Sequence, residues 1–65
     1  MKVYVVELGE RYQGGSVVGI FRIKKKAIQT ALAQKTDFPG GWKEYGENRW
    51  HNGCDYVKIF PYEVK

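Results

Sequence analysis

The stretch RWHNGCDYVKIFPYEV, residues 49–64, decides the fold because it contains the strongest hairpin signal of the chain. Asn52-Gly53 lies between two segments rich in aromatic and β-branched residues, which predicts two antiparallel strands, about 49–51 and 54–64, joined by a tight turn. Pro61 has no backbone N–H group, so the second strand is expected to be exposed along one side near its end or to bulge there.

The hairpin also assigns side chains to two faces. With Asn52 and Gly53 as the central turn residues, His51 is expected opposite Cys54, and Arg49 opposite Tyr56. A single helix covers one face of a sheet, and the face suited to it carries Trp50, Val57 and Ile59. The opposite face is expected to be at least partly open and to carry Glu47, Arg49, His51, Cys54, Tyr45, Tyr56, Lys58, Phe60 and Tyr62. A register slip of one residue would instead bury Tyr56, Phe60 and Tyr62.

Upstream of this hairpin the sequence predicts a second one. Residues 2–8 (KVYVVEL) are apolar at both parities, as in an inner strand, and residues 16–21 (SVVGIF) form a returning strand after a loop at 9–15. Gly19 within that strand indicates a bulge or a close backbone approach.

A helix is expected over residues 24–35, where Ala27, Ile28, Ala31 and Leu32 form an apolar stripe that packs on the sheet through Ile28 and Leu32. The breakers at 37–41 (DFPGG) end the helix, and residues 42–45 form an extra short strand. The predicted fold is therefore α+β: a single domain over 1–65, in the order β-β-α-β-β, with an antiparallel sheet of about four strands and one helix on one face.

Composition agrees with a small globular protein: 43% of residues are hydrophobic and 28% are charged. We expect a cytoplasmic location, because no apolar run approaches the length of a membrane span, the first residues lack a signal-peptide plan and the single cysteine, Cys54, cannot form an internal disulfide.

Net charge is +4, which suggests an anionic partner. Arg22, Lys24, Lys25 and Lys26 form a dense positive cluster at the start of the helix, where the helix dipole disfavours cations. Either these lysines only keep the helix exposed to water, or they form an anion site with the free N–H groups of the helix start.

The predicted open face combines basic and aromatic side chains. Bases stack on aromatic rings while phosphates meet Lys and Arg, so such a face is typical of single-stranded nucleic-acid binders. Tyr, Trp and Arg are equally the usual anchors of protein interfaces. The candidate binding residues are Arg22, Lys24, Lys25, Lys26, Arg49, Lys58, Trp42, Tyr56, Phe60 and Tyr62.

Catalytic and metal functions are not expected. His51 and Cys54 flank the predicted turn, but nothing in the sequence supplies an oxyanion hole, and one His with one Cys cannot build a zinc site within one chain. Gly14-Gly15-Ser16 lacks the spacing and the lysine of a P-loop. The sequence therefore predicts neither an enzyme nor a cofactor.

Two segments, KVYVVELGERYQGGSVVGIFRIKKKA and WHNGCDYVKIFPYEV, resemble small uncharacterised domains encoded in phage genomes and bacterial mobile elements. The resemblance spans most of the chain and is weakest over 36–48. It implies no defined activity, but small phage proteins often bind a host nucleic-acid enzyme or a defence complex. Such domains tend to begin their helix with a Ser or Thr cap, whereas this chain has the basic cluster there.

Three functions follow. We expect a protein-binding module, phage-encoded, that inhibits or modulates a host factor through the open face and the basic helix start, because no sequence-reading nucleic-acid motif is present. The alternative is a small nucleic-acid-binding protein that uses the same residues, and a third is an accessory structural domain without a discrete site. A homodimer formed through the edge near Pro61 or through the aromatic face is a further expectation.

Overall fold

The described part of the chain forms five strands and one helix. The computed structural model describes residues 1–36 and 39–65. The expected helix breakers at 37–41 include Asp37 and Phe38, which lie outside the described residues. In chain order the elements are β1 (Lys2–Glu10), β2 (Gly14–Phe21), α1 (Lys24–Leu32), β3 (Lys43–Gly46), β4 (Arg49–Asn52) and β5 (Asp55–Glu63).

The strands form one antiparallel sheet in the order β2-β1-β5-β4-β3, and α1 packs on one side of it against β1, β2 and β5. The two hairpins meet through β1 and β5, which pair along their whole length from Lys2↔Glu63 to Glu10↔Asp55. The α+β fold class is therefore confirmed, and β3 is the extra short strand.

The core lies between α1 and the sheet, and its six buried hydrophobic side chains come from β1, α1, β4 and β5: Val6, Ala27, Ala31, Trp50, Val57 and Ile59. Register explains this set, because Val6 pairs with Ile59, and Val57 pairs with both Leu8 and Trp50, so their side chains share one face. The prediction that Trp50, Val57 and Ile59 face the helix is confirmed.

Helix α1 is shorter than predicted because its C-terminal turn tightens. The Ala33 N–H donates to both the Gln29 and Thr30 carbonyls, the Gln34 N–H donates to Ala31, and the chain then leaves the helix. The Gln34 carbonyl accepts a hydrogen bond from Trp42 Nε1 (2.9 Å). The helix thus ends at Leu32 and not at 35, and the expected packing of Leu32 on the sheet is wrong, since this side chain is 44% exposed.

The β4–β5 turn lies one residue further along than predicted. Asn52 pairs with Asp55, so Gly53 and Cys54 are the central turn residues, and Gly53 has φ +62° at the position that type II′ turns reserve for glycine. Thr36 explains the shift: its Oγ1 donates to Asp55 Oδ2 (2.6 Å) and accepts a 3.5 Å contact from Asn52 Nδ2, which holds Asn52 in the strand.

The predicted cross-strand pairs were therefore wrong, because His51 faces Tyr56 and Arg49 faces Lys58. The predicted assignment of side chains to the two faces is nevertheless correct. The observed pairing differs from the predicted one by two residues along β5, and side chains alternate between faces with a period of two. Cys54 and Glu47, expected on the open face, lie in turns.

Two predictions about special residues are confirmed. Pro61 lies in the part of β5 that pairs with β1 alone, and its nitrogen points to the side that carries no strand, because the Ile59 N–H two residues earlier donates to Asn48 on that same side. Gly19 follows a bulge at Val18, and a Cβ on Gly19 would lie 2.6 Å from the Phe21 ring.

Candidate functional site

The side of the sheet opposite α1 carries an uncovered layer of side chains, which we call the open face. Pairing places its members together, because Val5 pairs with both Ile20 and Phe60, and Tyr56 pairs with His51. The open face consists of Val3, Val5, Glu7, Val17, Ile20, Lys43, Tyr45, Arg49, His51, Tyr56, Lys58, Phe60 and Tyr62.

One half of the open face is apolar. Val3 pairs with Tyr62 and Val5 with Phe60, while Ile20 continues the row onto β2. Ile20 is 61% exposed, Tyr62 65% and Phe60 40%, so these side chains lie on the surface and not in a second core. We call this group of five the apolar patch. Aromatic and aliphatic side chains clustered this way are characteristic of the centre of protein interfaces.

The other half is basic and aromatic. The Lys58 ammonium lies 4.9 Å from the centre of the Tyr56 ring, and the Tyr45 and His51 rings meet edge to face at 5.1 Å. Arg49 sits opposite Lys58 on the neighbouring strand. Cations held over and beside aromatic faces form a surface that can accept either an acidic group or a stacked ring.

Tyr56 is the most firmly placed ring of this half. Its hydroxyl donates to Glu7 Oε1 (2.9 Å), and its ring end lies over two glycines: a Cβ on Gly9 would come within 2.4 Å of the Tyr56 hydroxyl oxygen, and one on Gly15 within 2.8 Å. The hydrogen bond to Glu7, followed by desolvation and the negative charge of Glu7, raises the pKa of the Tyr56 phenol. The hydrogen bond therefore fixes the position of the Tyr56 ring, and the raised pKa favours the neutral phenol.

A depression of about 590 Å³ lies where the β1–β2 and β4–β5 turns meet, next to this basic and aromatic half. The two turns are joined by the Arg11 N–H, which donates to the Cys54 carbonyl (2.7 Å). Tyr12, at the tip of the first turn, is 93% exposed and has φ +70°, a conformation that Gly or Asn usually adopts. Its ring carries the Arg11 guanidinium at 5.6 Å from the ring centre.

Few of the positive charges are neutralised. Among residues 1–36 and 39–65 the one ion pair joins the N-terminal ammonium to Glu63 (3.0 Å). The cations of the open face, Lys43, Arg49 and Lys58, therefore form no ion pair among the described residues, and Glu7, which lies opposite Lys58, is the face's one acidic side chain.

The structure brings together five of the predicted site residues and separates the others. Arg49, Lys58, Tyr56, Phe60 and Tyr62 all lie on the open face. Trp42 lies on the other side of the sheet, half-buried, where it packs against the core and donates to Gln34.

The basic cluster at the helix start also lies apart from the open face. Its lysines belong to α1, on the covered side of the sheet, and all four members, Arg22, Lys24, Lys25 and Lys26, are exposed. The helix has neither a side-chain cap at Ile23 nor an acidic residue in its first turn. Because the sheet separates the two groups, one flat partner surface cannot contact both.

Several residues of this region escaped prediction. Glu7 has a polar side chain in a strand that looked buried on both faces, and only the β1–β5 pairing reveals its role as the acceptor for Tyr56. Arg11 and Tyr12 lie in the segment that the sequence predicts only as a loop. A tyrosine between Arg and Gln in a short hairpin turn, where Gly or Asn is expected, was the available signal.

The described residues contain no group of three or more His, Cys, Asp or Glu side chains that could hold a metal ion. Within the same part of the chain no helix is long and apolar enough to cross a membrane. Comparison of the chain with protein-family models, with curated proteins and with solved structures found no match.

Proposed function

We propose that this protein is a non-enzymatic binding module that docks, through its open face, on a partner protein with an acidic surface around an apolar centre. The observation that carries this proposal is the apolar patch of Val3, Val5, Ile20, Phe60 and Tyr62, on a sheet face that no element of the described residues covers. Burying exposed apolar side chains is the main favourable term in protein association.

The cations beside the patch define the chemistry of the partner. Arg49 and Lys58 border the patch and form no ion pair among the described residues, although Glu7 lies opposite Lys58 on β1, so the partner would supply further carboxylates. Interfaces combine an apolar centre with a polar rim, and rim charges steer the encounter more than they hold the complex together. Phe60 and Tyr62 are therefore the proposed anchors, and Arg49 and Lys58 set orientation and association rate.

The resemblance to phage and mobile-element domains supports a bacterial partner. On this proposal the protein acts in the host-cell cytoplasm and inhibits or modulates a host nucleic-acid-handling or defence factor by occupying its surface. The basic cluster at the helix start is then a second, separate surface and does not belong to the proposed docking surface on the open face.

Nucleic-acid binding is the second candidate, and one observation favours it. The Lys58 ammonium over the Tyr56 ring, with Tyr45 and His51 beside it, is a stacking platform with a cation in reach of a phosphate. This half of the open face would bind a single strand, with an affinity that falls steeply with salt.

Paired surface variants distinguish the candidates. The face variant is Phe60→Ser with Tyr62→Ser, and the matched control is Ile23→Ser with Leu32→Ser, which removes two equally exposed apolar side chains from the helix side. Wild type and control should retain the same protein from a bacterial extract, and the face variant should lose it, with at least about tenfold weaker binding to the purified partner.

Nucleic acid is tested in parallel with single-stranded DNA and RNA over a salt series. Tight, salt-sensitive binding that Lys58→Ala and Tyr56→Ala weaken, without any protein retained by the open face, would refute the docking proposal in favour of the second candidate. A protein captured equally by the face variant would refute the assigned surface. Circular dichroism of each variant checks that it folds.

A further inference from the structure

Among the described residues the sheet has three free strand edges, and two of them carry features that hinder further strand pairing. The outer edge of β3 is only four residues long and carries Lys43 and Glu44. The free half of β5 carries Pro61, whose nitrogen points outward. Short length, charge and proline are the devices by which proteins block edge-to-edge association.

The third edge, β2, has none of these three features over its eight residues, and its one edge-blocking device is the bulge at Val18. Its sequence GGSVVGIF contains no charge and no proline, and its outer side has no neighbouring strand in the described chain. Val17 is 58% exposed and Ile20 61%. The one irregularity is the bulge at Val18, which divides the edge into two short segments.

Backbone groups of β2 are available for pairing on this outer side. The Arg11 N–H donates to Cys54 and the Val64 N–H to Met1, so odd-numbered β1 residues bond to β5 and even-numbered ones to β2. The β2 residues that pair with those even-numbered residues form their hydrogen bonds with β1. Gly15 and Ile20 lie between them in the sequence, so their N–H and C=O groups point away from β1, to the free side of β2.

We propose that the outer edge of β2 pairs antiparallel with β2 of a second copy of this chain, which joins two five-stranded sheets into one. A two-fold axis places the same patch on both partners, so an uncharged strand meets an uncharged strand. The exposed Val17 and Ile20 of each copy then form one apolar row across the junction.

The charge distribution favours a second copy in this orientation, because the uncharged strands meet while the basic clusters stay apart. Antiparallel pairing places the Phe21 end of one β2 beside the Gly14 end of the other, so the basic clusters of the two copies lie about 26 Å apart, which is eight residues of strand. Arg22 of one copy instead approaches the β1–β2 turn of its partner, where Glu10 and Arg11 of the partner subunit together carry no net charge. Two copies with a net charge of +4 thus avoid their strongest mutual repulsion.

The bulge shortens the continuous pairing, so the dimer is expected to be weak, with a dissociation constant between about 1 μM and about 1 mM. Sedimentation equilibrium of the whole chain over that range should show a reversible monomer–dimer equilibrium. Ile20→Lys should weaken dimerisation at least about tenfold, since it places two added charges at the junction. Val64→Lys, which adds the same charge at an exposed position after β5, should leave the dimer unchanged.

Amide hydrogen exchange of the wild-type chain tests the same proposal without a substitution. The Gly15 and Ile20 N–H groups should become protected as concentration rises, while the outer edge of β3 should not. A chain that stays monomeric at about 1 mM would overturn the proposal, and so would a dimer that survives Ile20→Lys or leaves both amides exchanging freely. The docking proposal is tested separately through its anchors, Phe60 and Tyr62, on β5, because Ile20 belongs both to the apolar patch and to the proposed junction.

Discussion

Replacing Gly9 with alanine should destabilise the protein strongly, because the space beside Gly9 is occupied by Tyr56 and by backbone. An alanine Cβ would lie 2.4 Å from the Tyr56 hydroxyl oxygen, 2.5 Å from its Cζ and 2.6 Å from the Gly14 carbonyl oxygen. The ring can swing away, but only by breaking its hydrogen bond to Glu7. The Gly14 carbonyl belongs to the β1–β2 ladder and cannot move without disturbing it.

The expected cost follows from these contacts. Overpacking costs about 1–3 kcal/mol, and loss of a hydrogen bond to a charged group in a partly exposed position adds about 1 kcal/mol. Reduced freedom of the unfolded chain returns about 0.4–1 kcal/mol. The net destabilisation is about 1–4 kcal/mol, a large share of the roughly 3–10 kcal/mol expected for a chain of this length.

Urea denaturation measures this effect, and Gly46→Ala is the matched control. Gly46 is also a strand glycine, but the nearest atom to its added Cβ is Arg49 Cδ at 3.7 Å, which is an ordinary contact. The control should stay within about 0.5 kcal/mol of wild type. If Gly9→Ala is as mild as the control, Tyr56 does not sit over Gly9 and the register of β1 with β5 is wrong.

Three further changes test other parts of the structure. Tyr12→Gly should raise the unfolding free energy by about 0.5–1 kcal/mol in thermal or urea denaturation, because φ +70° strains a tyrosine more than a glycine; a destabilised variant would contradict that strain. Tyr56→Phe should lower the unfolding free energy by a constant amount below about pH 10, and its difference from wild type should shrink above that pH. The pKa of the Tyr56 phenol is raised in the folded state, so folding favours the neutral form. This contribution to stability is lost as the pH rises through the folded-state pKa. A difference that grows above pH 10 would contradict this sign. Ala31→Leu should cost about 1–3 kcal/mol by pushing α1 off the sheet, whereas Ala33→Leu, at an exposed helix end, should be nearly neutral in the same assay.

The sequence contained enough information for the fold class and for the two faces of the sheet. Side chains alternate along a strand, so any pairing that shifted β4 against β5 by an even number of residues kept Trp50 and Val57 inside and Tyr56 and Lys58 outside. The local turn was not predictable, because Thr36, sixteen residues before Asn52, holds Asn52 in the strand. Tertiary contacts of this kind leave no trace in local patterns.

The candidate site was predictable only in part, for the same reason. Arg49, Lys58, Tyr56, Phe60 and Tyr62 follow from strand periodicity alone. The separation of the basic cluster from these residues follows from the predicted side of the helix, although the sequence analysis assigned both groups to one binding function. The position of the Tyr56 ring depends on β1–β5 pairing between residues about fifty positions apart, which no short motif encodes.

The most direct test of the central claim is to ask which side of the sheet touches the partner. A photoreactive p-benzoyl-phenylalanine is placed at Tyr62, on the open face, or at Gln29, on the exposed side of α1, and each chain is irradiated in a bacterial extract. We expect one discrete protein adduct from position 62 and none from position 29. An adduct formed only from position 29, or a nucleic-acid adduct from position 62, would contradict it.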